Sequence, residues 1–251
     1  MKQIIQKWYD LLPFPDSWRP EFEALLSKYQ LTSCTAEAYH EKEDPQRDLL
    51  MYLYFCEAVE ETYRKMHISR EILLDTLADI VCYADIYWQL HGVPGLSEPE
   101  WLKRHLTVKL FKLGRLQFYM ADGELEIHIP AGEPLLPEAC RESIARSKDF
   151  FKQYFPDFTY SKYTCHSWLL DDTLRQFMNP SSNILQFADL FRIQRKDVSD
   201  VGLRYIFRWD TTCENLAAFP AYNRFSQQIK DYVLSGGTLY EVLGEIPANQ
   251  E

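Results

Sequence analysis

Two histidines sit where strand-like patterns would present them for proton transfer. In Glu124-Leu125-Glu126-Ile127-His128-Ile129-Pro130 the residues alternate strictly, so Leu125, Ile127 and Ile129 share one face and Glu124, Glu126 and His128 the other. An imidazole near its ordinary pKa of about 6.5 accepts a proton at neutral pH. Glu126, on the same face, can orient that imidazole or act through water. The plain alternative is a solvent-facing histidine without a role. His166 lies in a second strand-like run, residues 160–170, with Trp168 on its face. Asp171 either joins His166 or caps a short helix expected from Asp172. Two histidines on neighbouring strands can meet. Cys165 and His166 are adjacent along the strand and point to opposite faces, which excludes a local thiolate–imidazole dyad. No H-E-x-x-H or C-x-x-C spacing occurs, so no metal is expected.

Between these strands lies a loop, residues 131–136, with Gly132, Glu133 and Pro134, and then Pro137 at the first position of a helix reaching about Phe155. A loop feeding a helix N-terminus offers backbone N–H donors to an anion. Arg141 and Arg146 stand a turn or more into that helix. This loop has one glycine, an acid, and a proline that lacks an N–H. The segment 101–115 adds Lys103, Arg104, Lys109, Lys112 and Arg115 without an acid. It fits an anionic group or the acidic N-terminal part.

The elements that must position these residues follow from periodicity. Residues 1–95 read as helices: two short ones near 2–12 and 20–29, one from the Asp44-Pro45 cap to about Met66, and one from the Ser69 cap to Leu90, stopped by Gly92. The break 91–95 predicts a domain boundary, giving a helical domain 1–95 and a second domain 96–251. Ser97-Glu98-Pro99-Glu100 reads as a capping box for the next helix. After it come strands at 114–120 and 124–130, the 137–155 helix, the 160–170 strand, and short helices at 172–178 and 184–190. A hairpin of 191–195 with 203–209 and a last helix over 221–234 complete the order. The expected class is α+β: a helical N-terminal domain followed by a mostly antiparallel sheet with packed helices.

Composition narrows the function classes. The chain has 251 residues, 46% hydrophobic, with 15% aromatics and only nine glycines. That supports a large core and excludes disorder. No two glycines form G-x-G, so neither a dinucleotide fingerprint nor a P-loop is present. Net charge is −10, and residues 1–95 carry 9 basic against 16 acidic side chains, which argues against nucleic-acid binding. No apolar run approaches a membrane span, and the N-terminus lacks a signal-peptide core. A cytoplasmic, non-membrane protein with reduced cysteines is expected; its oligomeric state is open.

Several stretches together resemble a bacterial family of acyltransferase-domain proteins. They are 73–80 (LLDTLADI), 101–106 (WLKRHL), 113–118 (LGRLQF), 126–132 (EIHIPAG), 137–143 (PEACRES), 165–171 (CHSWLLD) and 182–185 (SNIL). Members pair a helical N-acyltransferase N-terminal domain with a GNAT-like C-terminal domain. The resemblance implies transfer of an acyl group from acyl-CoA or acetyl-CoA to a small-molecule amine. It implies His128 as base, with Glu126 beside it, and His166 or Tyr163 serving the leaving thiolate. Ile129, Ala131, Gly132 and Arg141 would bind the donor, and Trp168 and Asp171 the acceptor. The usual phosphate loop has a Gln or Arg and two small residues, from which 131–136 departs. The rival expectation is a GNAT-like relative that binds a ligand or partner without turnover.

Overall fold

A computed structural model describes residues 1–40 and 44–248, in two compact units, Met1–Leu113 and Gly114–Glu251. The division falls at Leu113/Gly114, so the helix after the 91–95 break belongs to the first unit.

The first unit holds helices α1 (Lys2–Leu11), α2 (Arg19–Lys28), α3 (Pro45–Lys65), α4 (Arg70–Leu77), α5 (Asp79–His91) and α6 (Pro99–Leu106), and a short strand β1 (Leu110–Leu113). Local chemistry sets the ends. The Asp44 carboxylate accepts from the Arg47 N–H, Ser69 Oγ accepts from the Ile72 N–H, and Gly92 ends α5 at φ +68°. The single helix expected from Ser69 to Leu90 is two, parted at Ala78. The residue after the break, Asp79, accepts the Trp101 indole N–H at 3.3 Å, and its carboxylate lies 3.0 Å from His105 Nε2. The capping box at Ser97 does not form. Pro99 takes the first helical position, so Glu98 becomes the N-cap, with φ +50° and no side-chain cap. α1 is anchored on α3 by Trp8, fully buried, whose indole N–H donates to Glu57 at 3.0 Å, and by Lys7 bridging Glu57 and Glu60.

The second unit runs β2 (Leu116–Ala121), β3 (Glu124–His128), α7 (Pro137–Tyr154), β4 (Lys162–Ser167), α8 (Asn183–Ala188), β5 (Arg192–Val198), α9 (Val201–Ile206), α10 (Arg224–Leu234) and β6 (Tyr240–Pro247). Its strands lie in the order β2-β3-β4-β6-β5. Only β3 and β4 pair in parallel; β2/β3, β4/β6 and β5/β6 are antiparallel. The parallel pair needs a crossover, and α7 supplies it. This is the α+β, GNAT-like arrangement with a mixed sheet.

The late hairpin is corrected. Residues 203–209 form no strand: Val201–Ile206 is helical, and β5 pairs instead with β6, some forty residues further on. α10 is therefore followed by a strand and is not the last element. It begins at Arg224, because Asn223 and Ser226 form a reciprocal capping box. The strand expected over 160–170 is shorter, since Trp168–Leu170 tightens into a 3-10 turn.

Alternation divides the sheet into two faces. Phe118, Leu125, Ile127, Tyr163, Cys165 and Val242 are at most 1% exposed and form the apolar one. α7 is tied to this structure by Ser143, whose Oγ accepts the Arg115 and Leu116 N–H groups at 2.7 and 3.2 Å. Around 168–239 a second cluster packs Leu174, Leu185, Leu203, Phe207, Leu216, Ile229 and Leu239.

Candidate active site

The parallel pair is short. Its partners run from Glu124↔Lys162 to Glu126↔Thr164, yet β3 continues to His128 and β4 to Ser167. Cys165, His166 and Ser167 go on pairing with β6, and Ile127 and His128 with β2. Past Glu126 the two strands thus turn to opposite neighbours and stop bonding to each other. A gap between parallel strands leaves backbone donors and acceptors for an extended ligand.

His128 closes β3 on the polar face. Its side chain is 23% exposed, and Nε2 lies 3.3 Å from the Glu126 carboxylate. Gln117 is its cross-strand partner, 2% exposed. His166 is on the same face of β4, and the acid it meets is Asp197 on β5, 3.7 Å away. Each histidine has a different carboxylate beside it, and that of Asp197 also accepts from Arg195 Nε at 2.7 Å.

Asp171 is not the partner of His166. It is buried, one oxygen accepting the Thr173 N–H and the other the Tyr240 N–H, each at 3.0 Å. That holds the start of β6 against the turn after β4, the capping role. Tyr163 is on the other face, fully buried. Its hydroxyl lies 3.1 Å from both Ser147 Oγ and the Tyr160 hydroxyl, and burial pushes its pKa up. Trp168 packs in its turn, stacked on Tyr205 and against Gly202, where an added Cβ would meet the indole at 3.1 Å. Cys165 is buried, and desolvation raises its thiol pKa, opposite to what a nucleophile needs.

The loop after β3 bears on the donor. Ile129 is half-buried, and Ala131, Gly132, Glu133 and Pro134 are exposed. Gly132 has φ +103°, a conformation that favours glycine. Among the described residues, the N–H groups of Ala131, Gly132, Leu135, Leu136, Glu138 and Ala139 donate to no protein acceptor. Those of Leu136, Glu138 and Ala139 stand at the positive dipole end of the 18-residue helix α7, and the others lie in the loop that leads into it. Arg141 is exposed and paired with Glu138 at 3.1 Å, a turn past this end. This donor set fits a diphosphate. The loop is held from behind by a residue that the sequence offers only as one of a basic stretch. Arg115, 6% exposed, donates to the carbonyls of Pro130, Glu133 and Pro134 at 3.0, 2.6 and 3.1 Å. A basic residue beside a glycine turn was the available signal; its target was not. Among the described residues no three His, Cys, Asp or Glu side chains gather as a metal set. Nor, among them, is any helix long and apolar enough to cross a membrane.

Comparison with known proteins agrees with this fold. Residues 4–108 match the N-acyltransferase N-terminal domain and residues 110–246 the GNAT-like C-terminal domain. Solved structures similar to the chain include an acyltransferase in complex with decanoyl-CoA and teicoplanin, at 26% identity and TM-score 0.74. Another is an acyltransferase in complex with CoA and 10C-teicoplanin, at 25% identity and TM-score 0.73. Each alignment covers 80% of this chain and 65% of the other, so the chain spans a little less than two thirds of the length of those acyltransferases. No curated protein matches it. With the second unit matched almost from end to end, the chain belongs to the family of proteins with a GNAT-like C-terminal domain, here preceded by an N-acyltransferase N-terminal domain.

Proposed function

We propose that this protein transfers an acyl group from an acyl-CoA to the amine of a small molecule. The observation that carries this reading is the parting of β3 and β4 after Glu126↔Thr164, next to outward-facing loop amides at the α7 N-terminus. The gap suits the pantetheine arm, and the amides of Ala131, Gly132 and Glu138 suit the pyrophosphate. The thioester supplies an activated acyl carbon.

His128 takes the proton that the acceptor ammonium must lose before its nitrogen can attack, and Glu126 at 3.3 Å steadies the imidazolium that results. His166, beside Asp197, is the residue for returning a proton to the departing thiolate. Tyr163, on the other face, has no part in that step. The cytoplasm, where acyl-CoA is made, is the compartment this reading implies. The related structures were solved with decanoyl-CoA and teicoplanin, a glycopeptide, and with CoA and 10C-teicoplanin. They make acceptors of that kind and medium-chain donors the first to try.

The test is thermal unfolding with a series of acyl-CoAs. A donor at a hundredfold its dissociation constant adds about 2.7 kcal/mol. His128→Ala keeps this stabilisation and loses amine-dependent thiol release by at least about a hundredfold. No stabilisation by any acyl-CoA overturns the donor assignment; full turnover in His128→Ala overturns the base. One observation favours a binding protein without turnover, the exposed Glu133 carboxylate on the loop. Stabilisation with no thiol release across an amine panel would support that reading instead.

A further inference from the structure

Arg115 stands just before β2, two residues ahead of the Gln117↔His128 pair. It is 6% exposed, and among the described residues no carboxylate is bonded to it. Its guanidinium is spent on backbone: Nη1 donates to the Pro130 carbonyl, Nη2 to Glu133 and Nε to Pro134. A buried cation is ordinarily matched by an acid, because desolvating a charge is costly. Three carbonyls of one short loop replace the acid here, so they are held by charge-assisted bonds.

Peptide planarity turns this into a statement about the loop's outer side. In a trans peptide the C=O of one residue and the N–H of the next point in opposite directions. With the Pro130 carbonyl drawn towards Arg115, the Ala131 N–H must face away. With the Pro134 carbonyl drawn in, so must the Leu135 N–H. The Glu133–Pro134 peptide has no N–H to offer, and it is spent on the third carbonyl. Neither outward N–H meets a protein acceptor among the described residues. The proline that weakens the loop on paper thus occupies the peptide unit where a missing N–H matters least. The main chain of Arg115 is fixed too, by Ser143 Oγ on α7, and Gly114 before it has φ +80° with no room for a Cβ beside that oxygen.

We infer that Arg115 is the positioning residue of the donor site: it turns the amides of the 130–135 loop outward to receive the pyrophosphate of CoA from behind, without touching it. Fixing the amides before binding removes an ordering cost from the bound state. The positive charge behind the loop also offsets the Glu133 carboxylate in front of an anion. This rests on the acyl-CoA reading above, and the experiment separates the two.

Calorimetric titration with decanoyl-CoA and with S-decanoyl-pantetheine, which has no phosphate, is run on the wild type, Arg115→Lys and Arg115→Met. Decanoyl-CoA is expected to bind at least tenfold more weakly to Arg115→Met than to the wild type. Arg115→Lys, keeping the charge but fewer donors, should fall between, and decanoyl-pantetheine affinity should not change. A merely structural arginine would weaken both ligands equally, and that outcome overturns the inference. So does a wild type that binds the two donors alike, since the loop then contributes nothing to the pyrophosphate. If Arg115→Met does not fold, Arg115→Lys decides by the same comparison. A wild type that binds neither donor overturns the proposed function itself.

Discussion

Replacing Tyr163 by phenylalanine separates the two faces of the sheet as a matter of chemistry. The hydroxyl is fully buried and makes two contacts, at 3.1 Å to Ser147 Oγ and 3.1 Å to the Tyr160 hydroxyl. Ser147 keeps its 2.8 Å bond to the Ile144 carbonyl when the tyrosine hydroxyl goes, and Tyr160 is half-buried and can turn to water. Neither partner is stranded, so the loss is that of neutral hydrogen bonds, about 0.5–1.5 kcal/mol each and about 1–3 kcal/mol together. The phenyl ring still fills the space against Phe118, 6.1 Å away between centroids, so no cavity opens. In a domain of this size that is a fall of roughly 3–12 °C in unfolding temperature. Urea unfolding should show a lower midpoint at unchanged slope. Turnover of acyl-CoA with an amine should stay within about twofold, with the same pH profile, because the group lies behind the apolar layer from His128 and His166. A general acid removed from a transition state costs about a hundredfold or more. Such a loss in Tyr163→Phe, with its fold intact by circular dichroism, would refute the assignment of the chemistry to the polar face.

Two further outcomes follow from other contacts. Asp171→Ala strips the Thr173 and Tyr240 N–H groups of a buried carboxylate; at about 1.5–3 kcal/mol for each charged hydrogen bond, it should cost about 3 kcal/mol or more in urea unfolding. CoA affinity in the folded fraction should be unchanged, and a selective loss of acceptor binding would return Asp171 to the site. Glu57 is held below its ordinary carboxyl pKa by the hydrogen bond from Lys7, with a second from Trp8. A depressed pKa stabilises the fold above the unfolded value of about 4.3 and ceases to as pH falls through the folded value. The first unit should therefore lose stability below about pH 4.3, and Lys7→Met should flatten that dependence; an unchanged pH profile would count against the pair.

Much of the fold is local and was legible. The alternation of 124–130 marks β3 and its two faces, Pro137 marks the start of α7, and the caps at Asp44, Ser69 and Gly92 form where they stand. Each rests on one turn or one strand period, which neighbours in sequence decide. The failures were long-range. Val201–Ile206 has the apolar character of a strand, but the edge position beside β6 goes to β5, and the segment packs as a helix through Leu203. Strand Tyr240–Pro247 was missed because its fit depends on β4 and β5, far back in the chain.

The candidate site divides the same way. Sequence alone determined which residue types were present: two histidines at strand positions, one glycine loop and a helix start. It could also set Cys165 and His166 on opposite faces, because a strand has a period of two. Only the tertiary structure decided the partners. It gave His166 to Asp197 and kept Asp171 for the backbone, placed Tyr163 behind the sheet, and brought Arg115 under the loop. Partner choice follows from register between strands and from which carbonyls a buried charge can reach, and neither is a property of any short window of the chain.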